Sequence, residues 1–254
     1  MSATLHRIRL IAGHTLGAAL HMKLNVLLAT VAALLVLGAL GLRQFNFGTA
    51  ELKFIGDFGL GAVGLLGTLL AALAPAQLFF IDLADGAAAC VLTRPVRRWE
   101  YIAGQLGGVA ALLALFTAVL GLLLAALLWW RSGQLGVPAV GLAVLLSACA
   151  LQWMKFTVVA AMTLFVCSYA GTALFASCAG LLFAVIGHLR PFANGGALGW
   201  LRAWPNLALF DAGALLATGQ PLAGSLLLNL AAYWAACLLL FGVLASHAFK
   251  HREF

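Results

Sequence analysis

The chain has 254 residues, 65% of them hydrophobic and only 8% charged, so a water-soluble globule is excluded before any motif is read. Its net charge of +7 would point to nucleic acid in a soluble protein, but most of the Lys and Arg flank apolar runs, where they orient membrane spans; nucleic acid is set aside as a partner and membrane lipid takes its place. Backbone amides cannot go unpaired in lipid and a bilayer core of about 30 Å takes about 20 apolar residues per helix, so the apolar runs read as spanning helices.

In chain order, residues 4–23 place Leu5, Ile8, Ala12, Leu16 and Ala19 on one side of a helical wheel and Arg7, His14 and His21 on the other, the pattern of a helix lying in the membrane interface. Residues 24–42 then read as a first span, retained although Gly48-Thr49-Ala50 loosely resembles a signal cleavage site. An outer loop with Arg43, Glu51, Lys53 and Asp57 leads to a second span, 58–81. That span carries Gly59, Gly61, Gly64 and Gly67, which read equally as a face for close helix packing or as the lining of a shared pathway. A third span, 102–128, lies between Trp99 and Tyr101 at one end and Trp129 and Trp130 at the other.

The apolar stretch that follows is too long for one helix and reads as two spans, 138–167 and 172–188. The chain folds back either at Gln152-Trp153-Met154-Lys155 or at Ser168-Tyr169-Ala170-Gly171-Thr172; the second is chosen for its glycine and hydroxyl residues. Lys155 then sits on a long fourth helix, reaching for the inner headgroups in preference to lining a pore, though it is kept as a pathway candidate with Gly59, Gly64 and Gly67. From His188 to Pro221 the prolines and Gly195-Gly196 break the chain into outer interfacial or re-entrant pieces, and 222–246 is the sixth and last span. With six spans both termini share one side. That side holds Arg7, Arg9, Lys23, Arg94, Arg97, Arg98, Lys250 and Arg252, against Arg43, Lys53, Arg131, Arg190 and Arg202 opposite, which places the termini and residues 82–101 in the cytoplasm.

Cys90, Cys149, Cys167, Cys178 and Cys237 form no C-x-x-C pair, and the six histidines show no ligand spacing, so no metal site is expected. Asp82, Asp85, Gly86 and Ala89 do spell D-x-x-D-G-x-x-A, the opening of the metal motif of membrane alcohol phosphotransferases. The motif then fails: Cys90 stands for its Arg, Trp99 for its Gly, and Ala103 and Gly107 for its last two Asp, so half the carboxylates that would hold paired metals are missing. The segment reads instead as a cytoplasmic connection that turns at Asp85-Gly86, forms a short helix and re-enters the membrane after a basic cluster.

The run Arg94-Pro95-Val96-Arg97-Arg98-Trp99-Glu100-Tyr101, followed by Gly104 and Gly108, resembles the first cytoplasmic loop of ABC-2 type transporter permeases, departing from it with Gln105 where lysine is usual. A second likeness to a bacterial branch of that family lies in Trp204-Pro205-Asn206-Leu207 with Phe210-Asp211, Tyr233 and the terminal Phe249-x-x-Arg252-Glu253-Phe254. The resemblance implies an all-α membrane subunit of a bacterial inner-membrane exporter that pairs with a second permease, identical or different, and with two ATPase subunits. The chain has no G-x-x-x-x-G-K-[ST] loop, so ATP and Mg would be bound by the partner ATPase, with no cofactor in this chain and no enzymatic activity of its own. The resemblance puts a coupling helix at about 85–93, with Asp85, Gly86, Ala88, Val91 and Leu92 meeting the ATPase and residues 4–23 beside it. Arg94, Arg97 and Arg98 would face acidic groups of the ATPase or anionic lipid, or serve only to orient the spans. The competing expectations are a non-transporting scaffold or assembly factor and a phosphotransferase with a degenerate metal motif.

Overall fold

The computed structural model describes residues 2–39, 41, 51–86, 97–138, 140–192, 204–211, 213 and 222–250. Among them the chain is helical, with no strand: α1 (Ser2–His21), α2 (Lys23–Gly38), α3 (Glu51–Ala84), α4 (Arg98–Leu135), α5 (Leu142–Cys167), α6 (Ala173–Leu189) and α7 (Gly224–Lys250), with short 3-10 turns at Arg190–Phe192 and Leu207–Phe210. Helices α3, α4, α5 and α7 are long and apolar enough to cross a membrane; α1 and α2, bent by 66° where they meet, pass together as a fifth. By helix length and composition this is a multi-pass membrane protein.

The first expected span comes out short, and the fifth keeps its expected length, below that of a full crossing. The one expected at 24–42 is Lys23–Gly38, 16 residues, and the one expected at 172–188 is Ala173–Leu189, 17 residues. The bend before α2 has a clear cause. Met22 is extended (φ −72, ψ 120), and the buried Asn25 amide donates to Ala19 O at 2.7 Å, bonding a carbonyl of the helix end that precedes it.

Nor does α1 stand apart as a surface helix. Arg7 lies 3.7 Å from Glu100, a Cβ on Gly104 would collide with Ile11, and one on Gly108 would collide with Thr15 and the Ala12 carbonyl. Moving along α1 therefore means moving along α4 in the same direction, backbone close to backbone, through a small-xxx-small pair on α4. Leu5, on the apolar side expected to meet lipid, is exposed, and the line packed against the bundle runs through Thr15 and Ala19.

The helices also outrun their expected limits. Glu51, Lys53 and Asp57 are the first turns of α3, not a loop, because Glu51 Oε1 accepts from Arg131 Nε at 2.7 Å and lies 2.7 Å from Arg131 Nη2 in a buried pair. That pair ties the start of α3 to the end of α4. Gly136, in the left-handed region (φ 65), then stops α4. At the opposite end Tyr101 donates to Asp82 at 3.0 Å, closing α3 onto the start of α4. Gln152–Lys155 is helix interior, and the chain reverses over Ser168–Thr172, where Thr172 caps α6 by accepting from Phe175 N.

Helix α5 is the hub, packed by α3, α4, α6 and α7. Lipid tails are as apolar as leucine, so helices in a bilayer associate through close fit, and the fit here is glycine against bulk. Gly67 of α3 receives the ring of Phe156, Gly121 of α4 receives Cys149, and Gly180 of α6 receives Thr163. On α7, Trp234 Nε1 donates to Thr157 Oγ1 at 2.7 Å and its ring lies 5.2 Å from that of Trp153.

Gly67→Ala and Gly61→Ala make a matched test, since alanine favours helix equally at both. A Cβ on Gly67 falls inside the Phe156 ring, whereas one on Gly61 meets nothing. Thermal unfolding in detergent is expected to show Gly67→Ala destabilised by about 1–3 kcal/mol and Gly61→Ala unchanged or slightly stabilised.

Candidate functional site

Helix α3 presents Asp57, Gly61, Gly64, Leu65 and Thr68 along one stripe, at steps of three and four residues, and this stripe is one wall of a cavity of about 520 Å³. Gln152 and Lys155, one turn apart on α5, form the facing wall; His188 from the last turn of α6, and Asp211 with Gly213 beyond the second 3-10 turn, complete it. The cavity runs from the Glu51–Arg131 end of the bundle inward: Asp57 and Thr68 are eleven residues apart on one helix, about 16 Å of depth. Its flank is open, with Leu65 63% exposed.

The wall on α5 is deeply buried, Gln152 at 3% and Lys155 at 5% exposure. Gln152 Oε1 has no hydrogen-bond partner, and Lys155 forms no ion pair among the described residues; its ammonium lies 5.7 Å from the Phe156 ring centre and feels the Asp211 carboxylate from a distance. Thr68 donates to its own helix, to Gly64 O at 2.8 Å, and His188 Nδ1 likewise lies 2.9 Å from Ala184 O. The polar groups left over therefore concentrate on the Gln152–Lys155 turn. A side chain on an α-helix leans toward its N-terminus, and α5 starts at the Glu51–Arg131 end, so Lys155 reaches into this cavity and not toward the opposite headgroups, as the sequence reading preferred.

The four pathway candidates divide evenly. Gly64 and Lys155 line the cavity; Gly59 and Gly67 are packing seats, for Leu124 and Phe156. Of the coupling candidates, Asp85 and Gly86 form the turn that ends α3, with Gly86 at φ 68. Arg97 is the N-cap of α4, its backbone N–H donating to Glu100 Oε2 at 3.2 Å. Arg98 donates to Phe249 O and Lys250 O, each at 2.7 Å, and so fastens the end of α7 to the start of α4. Ala88, Val91, Leu92 and Arg94 lie outside the described residues. Among those described, no group of three His, Cys, Asp or Glu is placed to hold a metal ion, and Asp82 is engaged by Tyr101.

The two sequence regions that carried the family resemblance meet their own partners in space. Tyr101 stacks on Phe249 with centroids 5.7 Å apart, so the Glu100-Tyr101 run touches the terminal segment. Asn206 N donates to Tyr233 Oη at 2.8 Å, Phe210 stacks on Tyr233, and Leu207 seats against Gly187. Gln105 is fully buried with both amide atoms unpaired among the described residues. No protein-family model matches the chain, and comparison with curated proteins finds no match.

Sequence reasoning missed Asp57, Gln152, His188 and Asp211 as one site. Accessibility tests the arrangement. With the five native cysteines replaced, Lys155→Cys and Gly61→Cys are expected to react with a membrane-impermeant thiol reagent added on the same side of sealed vesicles as reaches Asp57→Cys. Val159→Cys, fully buried in the hub, is expected to stay unlabelled.

Proposed function

We propose that this chain is the permease subunit of an ABC-2 type exporter in a bacterial inner membrane, working with a separate ATPase pair and a second permease. The observation that carries the reading is the cavity of Gly64, Thr68, Gln152 and Lys155, walled by α3 and α5 and open on the flank where Leu65 is exposed. An ionisable side chain deep in a membrane bundle marks a solute path by default, since burying it without function is costly. That open flank is the side on which a second subunit would complete the pathway.

The α1–α4 joint adds mechanical support. Arg7 with Glu100, and the glycine seats at Gly104 and Gly108, weld α1 to the beginning of α4, while Arg98 holds the end of α7 there as well. A push delivered by an ATPase to residues 85–93 and to α1 would then reach α4 and α7 as one rigid body, switching access to the cavity from one side to the other. On this reading the basic cluster and α1 lie in the cytoplasm, and ATP and Mg are held by the partner.

The test is association. An ATPase with a phosphate-binding loop, encoded beside this chain, is expected to co-purify with it, and its hydrolysis to depend on the permease. Ala88→Glu and Val91→Arg are expected to abolish ATP-driven transport while the purified permease keeps its unfolding temperature. Normal transport by both variants, or no ATPase bound under any nucleotide condition, would sink the exporter reading.

A further inference from the structure

We propose that the Lys155–Gln152 turn is the binding site for an oxyanion group, phosphate or carboxylate, of the molecule that occupies the cavity. That this molecule is the exported one rests on the exporter reading; the binding itself does not.

The ammonium of Lys155 is removed from water yet has no carboxylate in ion-pair contact among the described residues, and an isolated buried charge of this kind is costly until an opposite charge joins it. Three residues earlier on the same face, Gln152 brings an amide whose Oε1 is buried and has no partner among the described residues and whose Nε2 borders the same space. Gly64 makes that space. An atom at its Cβ position would stand 3.4 Å from Gln152 Nε2 and 3.6 Å from both Gln152 Oε1 and Lys155 Nζ, so one ligand group placed just beyond it reaches all three. The site can donate a charged hydrogen bond from Lys155, donate from the amide and accept a hydroxyl at Oε1, which is the complement of a protonated phosphate or an oxyanion with a neighbouring hydroxyl. Asp57 and Asp211 stand at the exposed mouth; Asp211 acts on Lys155 from a distance without pairing with it, which leaves Lys155 as the charge on the floor. Leu65 on the open flank gives an attached apolar chain a way in from the side.

Binding is measured by calorimetry on the full chain, purified in maltoside detergent without any ATPase, using dodecyl phosphate, inorganic phosphate and dodecyltrimethylammonium as probes. Saturable binding of dodecyl phosphate is expected, weakened at least about tenfold by Lys155→Met, and weakened by Gln152→Leu. Gly64→Val, which fills the space without touching either polar group's charge, is expected to abolish it, and decides the matter if Lys155→Met does not fold. Inorganic phosphate binding as tightly as dodecyl phosphate would assign the site to a free anion; binding of dodecyl phosphate alone would assign it to an amphiphile. Either outcome supports the proposal. Phosphate binding that ignores both Lys155→Met and Gly64→Val, absence of binding by either phosphate probe, or tighter binding of the ammonium amphiphile would overturn it. Because no ATPase is present, a failure here leaves the exporter reading untouched, and failure of that reading leaves this binding measurable.

Discussion

The structure depends on one constraint: a helix, α5, that is enclosed by four others in a medium where enclosure brings no hydrophobic gain. What holds it is van der Waals fit, so its bulky residues must meet neighbours that have removed their own side chains. Phe156 at Gly67, Cys149 at Gly121 and Thr163 at Gly180 are three such meetings on three different helices. Each allows close approach on one side of α5 and so fixes where the next element goes.

Hydroxyl residues in the bundle obey a companion rule. Thr15, Thr117, Thr157, Thr163 and Ser177 all donate to carbonyls one turn back in their own helices, which satisfies them without a partner helix. Lys155 and Gln152 have no such recourse, since their side chains extend away from the backbone that could receive them. Gln105 and the Asn25 carbonyl are also buried without a partner among the described residues, but Lys155 and Gln152 are the ones that face a cavity, and the α3 stripe opposite them carries Gly61, Gly64 and Thr68.

Much of the helical order was legible in the sequence because long apolar runs in lipid have only one regular solution. The turn residues Ser168–Thr172 carried their own signal in a glycine and a capping threonine. The errors share a cause: polarity was read as a boundary. Glu51 and Asp57 were assigned to a loop although Glu51 is neutralised inside the bundle by Arg131, eighty residues away, a pairing that no local pattern reveals. Gln152 and Lys155 were weighed as a place for the chain to turn, when their spacing of three puts them on one helical face. The site joins α3, α5, α6 and the segment at Asp211, so only the three-dimensional packing could assemble it. The bend at Met22 had a single clue, an asparagine just inside an apolar run.

The brevity of α6 has a physical result for the membrane around it. Its 17 residues rise about 25 Å, less than a hydrocarbon layer of about 30 Å. A helix of this length that crosses a bilayer draws the hydrocarbon layer in around it, at a cost of fractions of a kcal/mol per Å. His188, in the last turn of this short helix, also borders the cavity. On the exporter reading proposed above, such thinning beside α6 would leave a lipid-like solute a shorter stretch of hydrocarbon to traverse there than alongside the longer helices.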